Sequence, residues 1–215
     1  MDAIPRRRSP VIFDVRPDKI RDSGGWRVVQ KYGDEGSGPH LVDLSHLPRW
    51  DLQDSDLSSH FPAGVPVPET IGTCAITENA IVSRMNRTQA GIWHLAPGGP
   101  GMPDEPAFTD IRENTACLAV LGPQAFSLSE KVCRLDLSAP GHHPPCLLQG
   151  PLGGVPCQVV LLENQNGREG FVFTFSRGYC RDMVKVLLAA GREFGLRPAG
   201  EDRMSRVWDD FGNRI

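Results

Sequence analysis

The amino-acid sequence predicts an α+β fold organised as split βαβ-type lobes. Three observations predict it. The second half reads strand, helix, strand, strand, helix, with hairpins between neighbouring strands. The first half carries short strand signals and no long helical period. Between them, residues 97–106 hold the run Pro97-Gly98-Gly99-Pro100-Gly101 with Pro103 and Pro106 close behind, a composition that breaks both periods. The expected organisation is therefore a single unit of 215 residues. Its first lobe covers about residues 9–95, the linker 96–106 and the second lobe 107–215, with 1–8 a flexible start.

In chain order, Trp26–Tyr32 alternates as a strand, and Pro39–Ser45 has the look of a strand running into a turn. The glycine-rich Gly33–Gly38 between them predicts a hairpin with a long loop. Asp54–Ser59 suits a short capped helix, and Pro62, Pro66 and Pro68 hold an extended excursion. Gly72–Thr77, Ala80–Met85 and Gly91–Leu95 read as three further strands. Beyond the linker, Ala107–Ile111 is a strand and Cys117–Leu121 a short buried one. Gln124–Leu135 then spaces Phe126, Leu128, Val132 and Leu135 as one helical face. Val155–Leu162 and Gly170–Phe175 are strands joined by a turn near Asn164–Gly167. Gly178–Phe194 is an amphipathic helix, ended by Gly195–Gly200, and a last short helix carries Val207, Trp208 and Phe211.

Composition narrows the function classes. Hydrophobic residues make up 40% and charged residues 23%, with a net charge of -3, so no global field recruits nucleic acid or an anionic membrane. Apolar stretches fall short of the roughly 18 residues a spanning helix needs. Pro10 and Asp14 interrupt any secretion signal, and the six cysteines are scattered without a CxxC pair, which predicts free thiols in a reducing, cytoplasmic setting. The basic run Arg6-Arg7-Arg8 reads either as a solvated tail or as a docking arm for an acidic partner. His142, His143 and Cys146 do not complete a tetrahedral set, so no metal site is expected.

At three places the sequence resembles the aminomethyltransferase family of the glycine-cleavage system. Leu41-Val42-Asp43-Leu44-Ser45-His46 is similar to a strand near the start of that family. Cys117–Ala125 is similar to its "ALLALQGP-x-A" strand and helix start, and Leu187–Gly200 resembles its penultimate helix and "GL-x-PAG" corner. The resemblance implies two ferredoxin-like, split βαβ lobes as in the folate-binding core. The chain leaves no room for the family's C-terminal barrel, which makes it most like the short gamma subunit of heterotetrameric sarcosine oxidase.

That resemblance also implies tetrahydrofolate as cofactor and larger redox subunits of a hetero-oligomeric enzyme as partners. The family's chemistry needs one carboxylate facing the reduced pterin and a second on its amino-nitrogen edge. The first position falls near Ser83 or Arg84. The second, in a "GYTGE-x-GFE" hairpin, is Val172, and the hairpin's tyrosine is Gln165. Glu163 and Glu169 lie close by as substitutes. Arg84, Asn86 and Arg87 are candidates for the central cavity, while the residues alone read equally as exposed positions at a strand end. Arg203 and Arg206 fall where the family places a basic residue near folate, and a surface ion pair is the other reading. The candidate cofactor-binding residues are thus Arg84, Asn86, Glu163, Gln165, Glu169 and Arg203, with no catalytic residue assigned. Three functions follow: a non-redox subunit of an N-methyl amine demethylating complex, an autonomous folate-dependent transferase, or an inert interaction subunit.

Overall fold

The computed structural model describes the backbone of residues 6–98, 100–165 and 168–212, and the side chains of all of these except 163–165, 168, 211 and 212. The chain opens with β1 (Pro17–Ser23) and β2 (Trp26–Tyr32), then β3 (His40–Asp43) and β4 (Arg49–Gln53). Single 3-10 turns at Leu57–Ser59 and Pro62–Gly64 lead to β5 (Cys74–Ile76), β6 (Ala80–Arg84), β7 (Gln89–His94) and β8 (Phe108–Asp110). Then come β9 (Thr115–Leu121), α1 (Ala125–Val132), β10 (Cys146–Leu152), β11 (Val155–Gln165) and β12 (Arg168–Ser176). The last elements are α2 (Cys180–Ala190), β13 (Arg197–Ala199) and α3 (Glu201–Gly212).

These strands make a six-stranded sheet in the order β10-β11-β12-β9-β3-β13, a five-stranded sheet in the order β5-β6-β7-β4-β8, and the separate hairpin β1-β2. Every pairing is antiparallel except β13 with β3. The expected hairpin between β2 and β3 does not form. β2 pairs with β1 instead, across the two-residue turn Gly24-Gly25, where both φ values are positive (54° and 84°). That geometry matches the twist of the flanking strands, and glycine adopts it without strain. β3 has Leu41 and Val42 fully buried, one on each face, and takes neighbours on both edges, β9 and β13. The segment 96–106, read as a link between lobes, joins β7 to β8, two strands of one sheet.

Strand alternation sorts the residues of the six-stranded sheet into two cores. Leu118, Val120, Val159, Phe171 and Phe173 face α1 and α2, where Leu128, Met183 and Leu187 meet them. Ala119, Leu121, Val160, Val172 and Leu147 face the five-stranded sheet, where Ile81, Met85 and Trp93 meet them. On the far side of the five-stranded sheet, Trp50, Leu52, Val82 and Ile92 are covered by Leu57 and Val67 from the irregular excursion. Each fully buried aliphatic side chain in these layers contributes about 1.5–3 kcal/mol. The expected helix over 178–194 is shorter than its apolar pattern: α2 ends at Ala190 and a 3-10 turn carries Arg192–Phe194.

Candidate functional site

The candidate site lies in the layer between the two sheets. On β6, Ser83 shares the face of Ile81 and Met85, and it is buried with its hydroxyl 3.3 Å from Cys74 Sγ. Across the layer, β12 presents Val172, also fully buried. Of the positions at which a carboxylate was expected, Arg84, the alternative to Ser83, turns to the carbonyls of Pro68, Asn86 and Arg87, whereas Ser83 and Val172 open onto the same apolar layer. An ionised acid there, without a paired cation, would cost several kcal/mol. The sequence has instead a small hydroxyl and an aliphatic side chain, and the layer closes around them.

At one end this layer widens into a cavity of about 440 Å³, a size typical of small-molecule sites. Asp51, Gln89, Met85 and Trp93 line it from the five-stranded sheet, and Gln149, Gln158 and Thr174 from the six-stranded one. Gln89 Nε2 donates to Asp51 Oδ1 at 2.7 Å, and Gln53 donates to the other oxygen of Asp51. Gln149 Nε2 donates to the Met85 carbonyl at 3.0 Å, which ties the two sheets together across the cavity. Thr174 Oγ1 donates to Gln158 Oε1 at 3.3 Å. Trp93 is 1% exposed, and its indole N–H has no hydrogen-bond partner among the described residues. Gly91 keeps the space beside it clear, since a methyl there would stand 3.1 Å from that nitrogen and 3.4 Å from Met85 Sδ. The cavity is thus lined by neutral amides, hydroxyls and one carboxylate whose oxygens are both engaged, with the buried indole N–H of Trp93 beside it. That set binds and orients a polar molecule; it holds no activated nucleophile.

Of the sequence candidates, Arg84, Asn86, Glu169 and Arg203 do not line this cavity. Arg84 donates to the carbonyls of Pro68, Asn86 and Arg87, which clamps the β6–β7 turn. Asn86 is exposed and accepts from Thr88 N–H at 2.9 Å within that turn. Glu169 accepts from Phe126 N–H at 2.9 Å and so caps α1, whose own N-cap position, Gln124, provides no side-chain bond. Glu163 and Gln165 pair with Gly170 and Arg168 along β11, and their side chains lie outside the described residues. Arg203 sits 3.6 Å from Glu35 in a second polar cluster, at the foot of α3.

That second cluster is built for holding. Glu35 accepts backbone N–H bonds from Tyr32 at 3.0 Å and Gly200 at 2.9 Å. Glu201 receives Arg21 in two-pronged fashion and His46 Nε2 at 2.8 Å. Burial pushes the Glu201 carboxyl upward, but the bonds and charges of His46 and Arg21 outweigh it and hold the group below its usual range. Burial, reinforced by Arg203, lowers the pKa of His40, whose Nε2 lies 3.0 Å from the Glu35 carbonyl and therefore carries the proton.

Sequence reasoning missed Asp51, Gln149 and Gln158 because they come together from separate strands of two sheets. It also missed Arg49. That side chain is 0% exposed and donates to the carbonyls of Leu44, Leu47, Ser45, Arg112 and Thr115 and to Thr115 Oγ1.

Comparison with known proteins follows the same line. No family model matches the sequence. Over 92 residues the chain is 35% identical to the aminomethyltransferase of Moorella thermoacetica, covering 43% of this chain and 24% of that protein. With the aminomethyltransferase of Desulforamulus reducens it shares 26% identity over 120 residues, 56% of this chain and 31% of that one. The chain thus matches about a quarter to a third of the length of these curated relatives. Among solved structures, a chain of the heterotetrameric sarcosine oxidase of Corynebacterium sp. U-96, in complex with pyrrole 2-carboxylate, superposes with a TM-score of 0.59 at 16% identity, covering 76% of this chain and 88% of that one. The glycine cleavage system aminomethyltransferase T of Bartonella henselae superposes with a TM-score of 0.60 at 15% identity, covering 86% and 56%. At such identities the likeness is one of fold. The chain is thus similar in sequence to part of the aminomethyltransferases and has the α+β fold seen in these two structures.

Proposed function

We propose that this chain is a non-redox, aminomethyltransferase-like subunit of a multi-subunit enzyme that oxidatively demethylates N-methyl amines. The observation that carries the reading is the absence of an acid at the expected places: the fold is kept, while Ser83 and Val172 are buried in an apolar layer and Arg84, the alternative to Ser83, is a cation held on the β6–β7 turn. Tetrahydrofolate, the cofactor the resemblance implies, presents paired N–H donors on its amino-nitrogen edge and needs a carboxylate there. The residues at these two positions do not fit that requirement. Asp51, the acid lining the cavity, is already engaged by Gln53 and Gln89. In this reading the partner subunits carry the oxidation, and this chain shapes the assembly. It receives the one-carbon unit only at a site that a partner completes. The extent of the match to the sarcosine oxidase chain, 88% of that chain, supports a subunit role.

The test is isothermal titration of tetrahydrofolate into the purified chain and into the chain co-purified with its partners. Binding only by an assembly that also oxidises an N-methyl amine is the expected result. Tight binding by the isolated chain would sink the shared-site reading in favour of an autonomous transferase. An assembly without amine-oxidising activity would sink the subunit reading itself.

A further inference from the structure

From the cleft formed by the N-terminal segment over the β1–β2 hairpin, we infer a docking site for an acidic, extended segment of a partner polypeptide. The cleft has a volume of about 940 Å³ and is lined by Arg6, Arg7, Arg8 and Arg27, with Ile12 and Asp22 among the rest. Its floor is rigid. Arg7 N–H donates to the Gly25 carbonyl at 2.9 Å and bridges Trp26. The Arg8 carbonyl accepts from Arg177 at 2.7 Å. Val11 and Phe13 pack against the helix-side core, and the Phe13 ring stands edge-on to Tyr32 at 5.9 Å. With the segment held by its backbone and by these two apolar residues, Arg6, Arg8 and Ile12 are turned outward.

Those outward side chains define the partner. Arg7 is paired with Glu113 at 3.4 Å, but Arg6, Arg8 and Arg27 are exposed and have no ion pair among the described residues. Asp22 stands opposite Arg27 in the β1–β2 register and forms no ion pair with it. Four guanidinium groups therefore gather around one acid on a chain whose net charge is -3. A local field of that sign attracts and orients an acidic surface. Ile12, in the same cleft, is 80% exposed, and Val15 nearby is 44% exposed. Apolar side chains beside a basic rim favour a peptide over a polyphosphate, which would gain nothing from them. Asp22 would also repel a uniformly anionic polymer. The inference needs neither folate nor a redox partner, so its failure leaves the reading above standing, and the reverse also holds.

The experiment uses the full chain and a fluorescein-labelled peptide of alternating Glu and Leu, followed by fluorescence anisotropy. A peptide of alternating Lys and Leu, tripolyphosphate and a short RNA duplex serve as competitors. The acidic peptide should bind saturably and weaken at higher salt. Arg8→Glu with Arg27→Glu should weaken it by about tenfold or more, and Ile12→Ser by about threefold. These positions are exposed, and circular dichroism checks that each variant folds. No saturable binding, or equal binding of the Lys-Leu peptide, would overturn the inference. So would efficient competition by tripolyphosphate or RNA together with an unchanged affinity in Ile12→Ser, which would make the cleft an anion site rather than a peptide site.

Discussion

Replacing Arg49 by Met should loosen the joint between the two sheets. The guanidinium leaves β4 in the five-stranded sheet and donates to carbonyls of the β3–β4 loop, of Arg112 and of Thr115 at the start of β9. Bonds from a charged donor contribute about 1.5–3 kcal/mol each; the six contacts share five N–H groups, three of them converging on one terminal nitrogen, so they amount to roughly 7 kcal/mol or more. Against this stands the cost of burying a cation that has no carboxylate partner in the network, several kcal/mol by itself; the same burial lowers the pKa of Arg49. Met fills similar volume and removes that cost, but it cannot serve the carbonyls. Leu44 keeps a bond from Leu47 N–H, whereas the other four carbonyls each lose a donor. The net loss should be about 3 kcal/mol, a large share of the roughly 5–15 kcal/mol by which a domain is stable. Arg49→Lys, a point charge with three donors, should lose about 2 kcal/mol. The assay is urea unfolding at neutral pH by tryptophan fluorescence and circular dichroism, comparing midpoints at constant slope. A Met variant within about 0.5 kcal/mol of the parent would refute the reasoning, since it would show that these carbonyls need no protein donor.

Further outcomes follow from the cluster at α3 and from α1. Because Glu201 is held below its usual pKa in the folded state, its contribution is complete above the unfolded carboxylate value of 4.5 and is lost as pH falls through the folded value. Glu201→Gln should therefore flatten the acid limb of a stability-versus-pH curve, and an unchanged limb would rule out that role. Gly200→Ala should destabilise by about 1–3 kcal/mol or more, since an added methyl would stand 2.1 Å from the Gln30 carbonyl oxygen; the thermal midpoint reads it. Glu169→Ala should cost about 1 kcal/mol through the lost cap of α1 and leave tetrahydrofolate binding by the assembly unchanged. A selective loss of binding would instead return Glu169 to the site.

Where a segment's own pattern decided its structure, the sequence was readable. The continuous apolar runs of β9, β11 and β12, buried on both faces, announce strands wherever they sit. β1 was missed because Pro17–Ser23 carries Ile20 as its one large apolar residue, although Gly24-Gly25 just after it is a hairpin signal. β10 was missed because Gly150-Pro151 breaks its pattern; it is an edge strand, where proline is tolerated. Glu169 was found in the expected hairpin, but which face it takes depends on register, and it turns to α1 rather than to the layer. Arg49 was illegible for another reason. A charged residue beside Trp50 reads as surface unless the carbonyls awaiting it are known, and those come from segments distant in sequence.

The placement of β3 bears on how the molecule is made. This four-residue strand sits between β9 and β13, so its hydrogen-bonding edges are filled by segments that follow it far along the chain. A ribosome must release β9 before Leu41 and Val42 have any ladder, and β13 before the outer edge is closed. The five-stranded sheet, by contrast, is complete once β8 has emerged. Its inner face, with Ile81, Met85 and Trp93, must then wait uncovered for the second sheet. Nascent chains stalled between β8 and β9 should be the ones most dependent on chaperones, because their apolar face is assembled and its cover has not yet been synthesised.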